Sequence, residues 1–148
     1  MGKHHTVLVV DDDRDQLAVL AEVLAGEGCA VRLATNGQQA IWAIEAGLQP
    51  CVILLDLQMP VVNGWEFATR LASLGETAAS IPLVVLSGEP HAGRLPFGAK
   101  DRLLKPVSFD AILRTVERHC ALANDRATDT SQPRDREPRI ARNGRERP

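Results

Sequence analysis

The sequence has 148 residues, of which 45% are hydrophobic and 24% charged, and its formal net charge is −2. That size fits one ordinary domain with room for a tail, and the charge argues against a uniformly basic nucleic-acid-binding protein. No apolar run approaches the roughly 18 residues that span a bilayer, and the N-terminus lacks the pattern of a signal peptide. We therefore expect a cytoplasmic protein with no membrane contact.

Apolar residues along the first 123 positions alternate between short continuous runs and helical spacing. The continuous runs predict strands buried on both faces, and the spaced runs predict helices. The predicted strands cover residues 6–10, 30–34, 52–55, 83–86 and 102–104, and helical spacing covers residues 17–24, 40–44, 65–74 and 109–120. Two prolines and two glycines in residues 89–98 allow a short or irregular helix at most. Five strands alternating with helices predict a parallel sheet with helices on both faces.

The end of the chain differs from the rest in composition. Residues 1–123 carry 10 Lys and Arg against 14 Asp and Glu, whereas residues 124–148 carry seven Arg against five acidic residues. The second segment has three prolines and one large aliphatic residue, Ile140, so it buries too little apolar surface to offset its ordering entropy. We predict a folded domain over 1–123 and a disordered Arg- and Pro-rich tail over 124–148, which is too short for an output domain.

The cysteines and histidines carry little local signal. Cys29, Cys51 and Cys120 are odd in number and none has CxxC spacing, which argues against a disulfide framework and against a zinc site. Cys51 opens an apolar strand and is interpreted as a small core residue. The four histidines have no ligand spacing with a cysteine or a carboxylate, so we expect them at the surface.

Polar side chains follow the predicted strands. Asp11 and Asp12 follow the first strand, Asp56 the third, Ser87 the fourth and Lys105 the fifth. The carboxyl ends of parallel strands meet at one edge of a sheet, where ligands bind. Clustered carboxylates repel one another, and a hard divalent cation such as Mg²⁺ relieves that repulsion. Such a cage with one hydroxyl and one lysine is typical of a phosphoryl-transfer site, in which an aspartate can be the nucleophile.

Five segments, in order, resemble a bacterial response-regulator receiver domain over residues 6–123. They are VLVVDDD at 7–13, VILLDLQMPVVNG at 52–64, LVVLSG at 83–88, GA at 98–99 and LLKP at 103–106. The resemblance implies an α/β, flavodoxin-like, doubly wound five-stranded parallel sheet in the order 2-1-3-4-5. It also implies two-component signalling, in which a phosphohistidine on a histidine kinase or a phosphotransfer protein donates a phosphoryl group to an aspartate.

The resemblance assigns roles at the carboxylates. It makes Asp56 the phospho-acceptor and Asp11 and Asp12 the acidic pair, with Asp12 as the direct Mg²⁺ ligand. Asp56 and the backbone carbonyl of Gln58 complete the protein's share of the metal shell. Asp13 extends the acidic run and is interpreted as a solvated residue or as the N-cap of the first helix.

The resemblance also assigns roles on the other side of the acceptor. Ser87 would hydrogen-bond the phosphoryl group, and Lys105 would pair with one of its oxygens. Pro106 would follow Lys105 in a cis peptide bond. Pro60 and Gly64 would shape the loop after the acceptor.

Two features depart from the family pattern. The segment between Ser87 and Gly98 is about one helical turn shorter than usual, so the family's fourth helix should be short or irregular. Arg102 stands where the family usually has a Tyr or Phe that turns inward on activation.

Gln58 and Glu89 lie where the family sets the lifetime of the phosphoryl group, and polar residues there favour hydrolysis.

Three functions stay open at this point. The first is a stand-alone response regulator, not an enzyme beyond its own phosphorylation and dephosphorylation, acting as a monomer or weak dimer through a downstream protein. The second is a pseudo-receiver that docks without phosphorylation, which the missing aromatic favours. The third is a haloacid-dehalogenase-like phosphatase, which Asp11 and Asp13 suggest as an Asp-x-Asp motif. Asp15 and the lack of an acidic pair after Lys105 argue against that phosphatase.

Overall fold

The computed structural model describes residues 5–57, 63–88 and 98–131, with side chains up to residue 121 in the last of these ranges. The strands are β1 (Thr6–Val10), β2 (Ala30–Ala34), β3 (Val52–Asp56), β4 (Leu83–Ser87) and β5 (Ala99–Leu104). The helices are α1 (Arg14–Gly26), α2 (Gly37–Glu45), α3 (Gly64–Ala72), α4 (Glu76–Ala79) and α5 (Phe109–Ser131). No helix in these ranges is both long and apolar enough to cross a bilayer.

The five strands form one parallel sheet in the order β2-β1-β3-β4-β5, which confirms the predicted fold. The register aligns the carboxyl ends of the strands, since Val10 pairs with Leu55 and Asp56 pairs with Leu86. Ser87 in turn pairs with Leu104. The residues that end or follow β1, β3, β4 and β5 therefore lie along one edge of the sheet.

Each face of the sheet is covered by its own apolar cluster. Leu8 and Ile53 belong to the cluster beneath α2, α3 and α4, whereas Val9 and Leu54 belong to the cluster beneath α1 and α5. Neighbouring strand residues point to opposite faces, so a continuous apolar run supplies both clusters. All five residues of β3 and of β4 are buried, as the continuous runs predict.

Side-chain caps fix where several helices begin. Asp13 caps α1 by accepting hydrogen bonds from the backbone N–H groups of Asp15 and Gln16, so its interpretation as an N-cap is confirmed. Asn63 forms a capping box with Glu66 at the start of α3. The short helix α4 was not predicted, because a single turn of four residues carries too little apolar periodicity.

The prediction against a disulfide was wrong. Cys51 and Cys120 are joined by a disulfide across 69 residues of sequence, and only Cys29 is a free cysteine. Local spacing does not detect a pair that forms when a helix packs back over the start of a strand. The surface prediction was also wrong for His5 and His119, which are 8% and 7% exposed; the other two histidines lie outside the described residues.

The final helix is longer than the sequence indicates. Helix α5 continues to Ser131, past the predicted domain boundary at residue 123. Residues 132–148 lie outside the described residues, as do residues 89–97, where the short fourth helix of the family was expected. Disorder beyond residue 131 stays a prediction.

Candidate functional site

Three carboxylates meet at the carboxyl edge of the sheet. Asp11 follows β1, Asp56 ends β3, and these strands are neighbours. Carboxylate oxygens of Asp11, Asp12 and Asp56 all lie within 4.8 Å of one another. Asp11 and Asp56 are buried, at 1% and 4% exposure, whereas Asp12 is exposed. The structure therefore brings together the three acids that the sequence singles out.

Asp11 is the most constrained of these acids. Its Oδ1 accepts a hydrogen bond of 3.0 Å from the backbone N–H of Asp13, and its buried Oδ2 has no donor among the described residues. Burial raises the pKa of Asp11 to about 6; the Asp13 N–H and Lys105 oppose this shift, and the nearby Asp56 adds to it. The site thus favours a proton or a cation beside this carboxylate.

The donor set of the cluster fits a hard divalent cation. Three carboxylates converge, and one of them holds a buried oxygen without a hydrogen-bond donor in the described part of the chain. Mg²⁺ takes oxygen ligands, usually one or two carboxylates with several waters and a phosphate oxygen. Asp11, Asp12 and Asp56 are the side chains that could hold it, while Gln58 lies outside the described residues.

Lys105 and Ser87 lie on the β4 and β5 side of Asp56, whereas Asp11 and Asp12 lie on the β1 side. The Nζ of Lys105 lies 3.3 Å from Oδ1 of Asp56, and the lysine side chain is 35% exposed. The backbone N–H of Lys105 donates a hydrogen bond of 2.7 Å to the carbonyl of Ser87, which ends β4 and is buried. The Lys105–Pro106 peptide bond is cis, as the resemblance implies. A buried carboxylate thus has acids on one side and an ammonium group on the other.

Gly64 lies close to Leu57, the residue that directly follows Asp56. The backbone N–H of Gly64 donates a 3.3 Å hydrogen bond to the carbonyl of Leu57. A Cβ atom at position 64 would lie 2.7 Å from Cδ2 of Leu57 and 3.0 Å from its Cα. A Cβ atom at the start of α3 would therefore force Leu57 to shift, and glycine permits the close approach of these two residues beside the acceptor.

Arg102 and the turn at Asp11 can be compared with what the sequence predicts. Arg102 is exposed on β5, so a cation at the surface occupies the position where the family has an aromatic ring. The turn in which Asp11 accepts from Asp13 was missed, although an Asp followed by a turn often bonds the N–H two residues on. The run of three aspartates at residues 11–13 was the sequence feature that could have predicted this turn.

Comparisons with known proteins agree with this geometry. A family model described as the response regulator receiver domain matches residues 7–117. The chain is 35% identical over 117 residues to an uncharacterized 14.6 kDa protein from the sodA1 3′ region of Leptolyngbya boryana, covering 77% of this chain and 88% of that protein. It is 30% identical over 113 residues to PilH of Pseudomonas aeruginosa, covering 74% of this chain and 93% of PilH.

A solved structure with a metal is similar too. The receiver domain of a sensor histidine kinase from Pseudomonas aeruginosa, with a magnesium ion coordinated in its active-site cleft, has a TM-score of 0.72 at 25% identity. The similarity covers 78% of this chain and 97% of that domain. Other curated relatives are longer, and the chain spans between 28% and 55% of their length.

Proposed function

The chain belongs to the family of response-regulator receiver domains, and on that premise we propose that Asp56 accepts a phosphoryl group from a phosphohistidine. The proposed protein is a Mg²⁺-dependent, stand-alone response regulator that signals through protein–protein contact. The environment of Asp56 supports this proposal most strongly, because a buried carboxylate lies there between a lysine and two further acids. A carboxylate in that position is aimed at the strand edge where ligands of parallel sheets bind.

The transfer is a displacement at phosphorus by the carboxylate of Asp56. One Oδ forms a bond to phosphorus as the bond from phosphorus to the donor imidazole breaks. The electron pair of that bond returns to the imidazole nitrogen, which takes up a proton. When bound by Asp11, Asp12 and Asp56, Mg²⁺ supplies positive charge against the phosphoryl oxygens. Apart from the nucleophile Asp56, the protein contributes positioning and charge.

Lys105 and Ser87 supply the positioning on the other side. Lys105 already contacts Oδ1 of Asp56, and its three N–H donors can move to a phosphoryl oxygen as the negative charge moves outward. Ser87 ends the strand beside β3, so its hydroxyl is one residue beyond the partner of Asp56 in the sheet. A hydroxyl can donate to a second phosphoryl oxygen. Binding of the phosphoryl group at both residues would connect β4 and β5 to the reaction.

The proposed donor and output both lie in other chains. A histidine kinase or a histidine phosphotransfer protein is the expected donor, which would place the protein in the cytoplasm. Support for a stand-alone regulator comes from two short relatives, of which the chain covers 88% and 93%. The longer relatives keep the alternative open that the same module serves a larger protein.

Labelling with a small phosphodonor tests the proposal. Full-length protein is incubated with Mg²⁺ and acetyl phosphate, and the intact mass is followed before and after hydroxylamine treatment. We expect one hydroxylamine-labile phosphoryl group, lost in Asp56→Asn and kept in Asp110→Asn, a control on the first turn of α5. An Asp56→Asn protein labelled as fast as wild type would overturn the proposal.

The exposed Arg102 favours a second candidate, a pseudo-receiver that docks without phosphorylation. An inward-turning ring is the usual way in which this family reports phosphorylation, and an exposed arginine has no ring to bury. A pseudo-receiver takes no label in the same assay. Turnover of general phosphomonoesters that is abolished by Asp11→Asn would instead indicate the phosphatase alternative.

A further inference from the structure

A second cluster of metal-ligating side chains lies at the opposite edge of the sheet, at the amino ends of the strands. His5 directly precedes β1, Cys51 directly precedes β3, and Cys120 lies on α5. One potential ligand atom from each of the three residues lies within 4.8 Å of the other two. His5 is six residues before Asp11 along an extended strand, so this cluster is about 20 Å from the carboxylates.

The fold fixes the backbone of all three residues. The N–H of Cys51 donates a 2.9 Å hydrogen bond to the carbonyl of Thr6, which joins the starts of β1 and β3. The carbonyl of His5 accepts a 2.7 Å hydrogen bond from the N–H of Ala30. Cys120 follows Ile112 and Val116 at intervals of four residues on the buried face of α5. The positions are therefore set by the sheet and by helix packing rather than by a loop.

We propose that His5, Cys51 and Cys120 bind one thiophilic divalent ion of the Zn²⁺ class when the two cysteines are reduced. Two thiolates and one imidazole are ligands that Zn²⁺ prefers, and a tetrahedral ion keeps its fourth position for water. Mg²⁺, which prefers oxygen, is not retained by such ligands. The site is distinct from the carboxylate cluster in both place and chemistry.

The disulfide between Cys51 and Cys120 is the oxidised form of the same site. A dithiol reductant opens it by giving one hydrogen to each sulfur and closing its own disulfide. Binding of the ion then releases one proton from each thiol to solvent. Cysteine pairs in reducing compartments are kept as thiols, and there they more often bind metal or react than crosslink a fold. Only the argument from a reducing compartment rests on the cytoplasmic location proposed above.

A metal site also accounts for His5, which a purely structural disulfide does not. The disulfide uses the two sulfurs and leaves a buried imidazole beside them without a role. An ion uses all three groups at once. Cys51 is partly exposed while Cys120 is fully buried, so an ion can enter from the Cys51 side.

Cobalt titration tests the proposal, because Co²⁺ reports its ligands through absorption. The full chain is reduced with a phosphine, desalted under argon and titrated with Co²⁺. We expect one equivalent to bind with thiolate-to-cobalt charge-transfer absorption, to be displaced by Zn²⁺ and to resist excess Mg²⁺. Cobalt at the carboxylate cluster gives no thiolate band. Absence of that band in the reduced wild-type protein would overturn the inference.

Matched variants assign the ligands. Cys51→Ser and Cys120→Ser should lose the charge-transfer band, whereas Cys29→Ser, a buried cysteine of the same apolar cluster, should keep it. His5→Ala should weaken Co²⁺ binding by at least about tenfold, since even outer-shell partners of a metal are worth roughly 10- to 100-fold. A band that survives in both Cys51→Ser and Cys120→Ser contradicts the assignment.

Two further measurements need no ligand variant. In the reduced wild-type protein, Zn²⁺ should slow alkylation of Cys51 and Cys120 at least tenfold and leave the rate at Cys29 unchanged, as read by peptide mass spectrometry. Asp56→Asn should keep the cobalt band, so failure of the proposed phosphorylation and failure of this site are told apart. Equal alkylation rates with and without Zn²⁺ would count against the site.

Discussion

The Nζ of Lys105 lies 3.3 Å from Oδ1 of Asp56, although 49 positions separate the two residues in the sequence. The sheet order explains the contact. Asp56 ends β3, β4 lies between β3 and β5, and Lys105 directly follows β5. Because the carboxyl ends align, a lysine side chain spans the width of β4 and reaches the acid. The contact orients Asp56 between a cation and the two acids that follow β1.

Removing this contact should slow phosphorylation more than it changes the fold. In Lys105→Met the phosphoryl oxygens lose a positive group in the transition state, and we expect the labelling rate with acetyl phosphate to fall by about 10²-fold. The initial rate at saturating Mg²⁺, followed by intact mass, measures this. Lys100→Met, which changes an exposed lysine on β5, is the matched control and should react at the wild-type rate. Equal rates for Lys105→Met and wild type would remove Lys105 from the mechanism.

Neutralising Asp11 should stabilise the protein when no divalent ion is present. The folded pKa of Asp11 is about 6 and its ordinary value is 3.8, so the folded state holds this proton more tightly than the unfolded state. The stability linked to that proton is complete below pH 3.8 and is lost as pH rises through 6. Asp11→Asn should therefore gain up to about 3 kcal/mol in the free energy of unfolding at pH 7.

Urea unfolding in a chelator at several pH values measures this gain. The difference between Asp11→Asn and wild type should be small at pH 4 and should grow toward pH 7. A difference that stays constant over this range would show that the charge of Asp11 is not its source.

Magnesium should stabilise the wild-type protein more than a variant that lacks one of the proposed ligands. An ion that binds only the folded state stabilises it by about 2.7 kcal/mol at a hundredfold excess over Kd. Wild type should show this gain in thermal unfolding with Mg²⁺, and Asp12→Asn should lose most of it. Asp15→Asn changes an acid of the same run on the first turn of α1, away from the cluster, and should respond to Mg²⁺ as wild type does. An unaltered Mg²⁺ response in Asp12→Asn would exclude this residue as a ligand.

A methyl group at position 64 should destabilise the fold beside the acceptor. In Gly64→Ala the new Cβ would overlap the buried Leu57, including its backbone Cα. Overpacking of this kind costs about 1–3 kcal/mol, and it should also slow labelling because Leu57, which directly follows Asp56, would shift. Gly26→Ala, with nothing within 4 Å of its Cβ, should unfold at the wild-type urea concentration or above. Wild-type stability in Gly64→Ala would show that Leu57 moves aside at no measurable cost.

The strand pattern could be predicted from the sequence because three of the five strands, β1, β3 and β4, are buried on both faces. A continuous apolar run such as Val52–Leu55 is visible without any tertiary information, and the polar residue after it marks the carboxyl edge. Parallel topology then places Asp11, Asp56 and Lys105 together. The resemblance supplied the strand order and the roles, which periodicity alone does not contain.

The features that were missed depend on packing between distant segments. Cys51 and Cys120 meet only because α5 runs back along the sheet, and His5 is buried only because it lies at the same edge. The one-turn helix α4 is too short to show a period, and the extension of α5 to Ser131 continues through residues with few apolar positions. Local patterns carry no information on such contacts.

Mapping the phosphorylated residue shows directly whether Asp56 is the acceptor. Protein labelled with acetyl phosphate and Mg²⁺ is treated with borohydride, which reduces an aspartyl phosphate to homoserine, and is then digested for tandem mass spectrometry. We predict homoserine at Asp56 and at no other aspartate of the cluster. Homoserine at Asp11 or Asp12 with an unmodified Asp56, or no homoserine in a protein that binds Mg²⁺, would contradict the assignment of Asp56 as the phospho-acceptor.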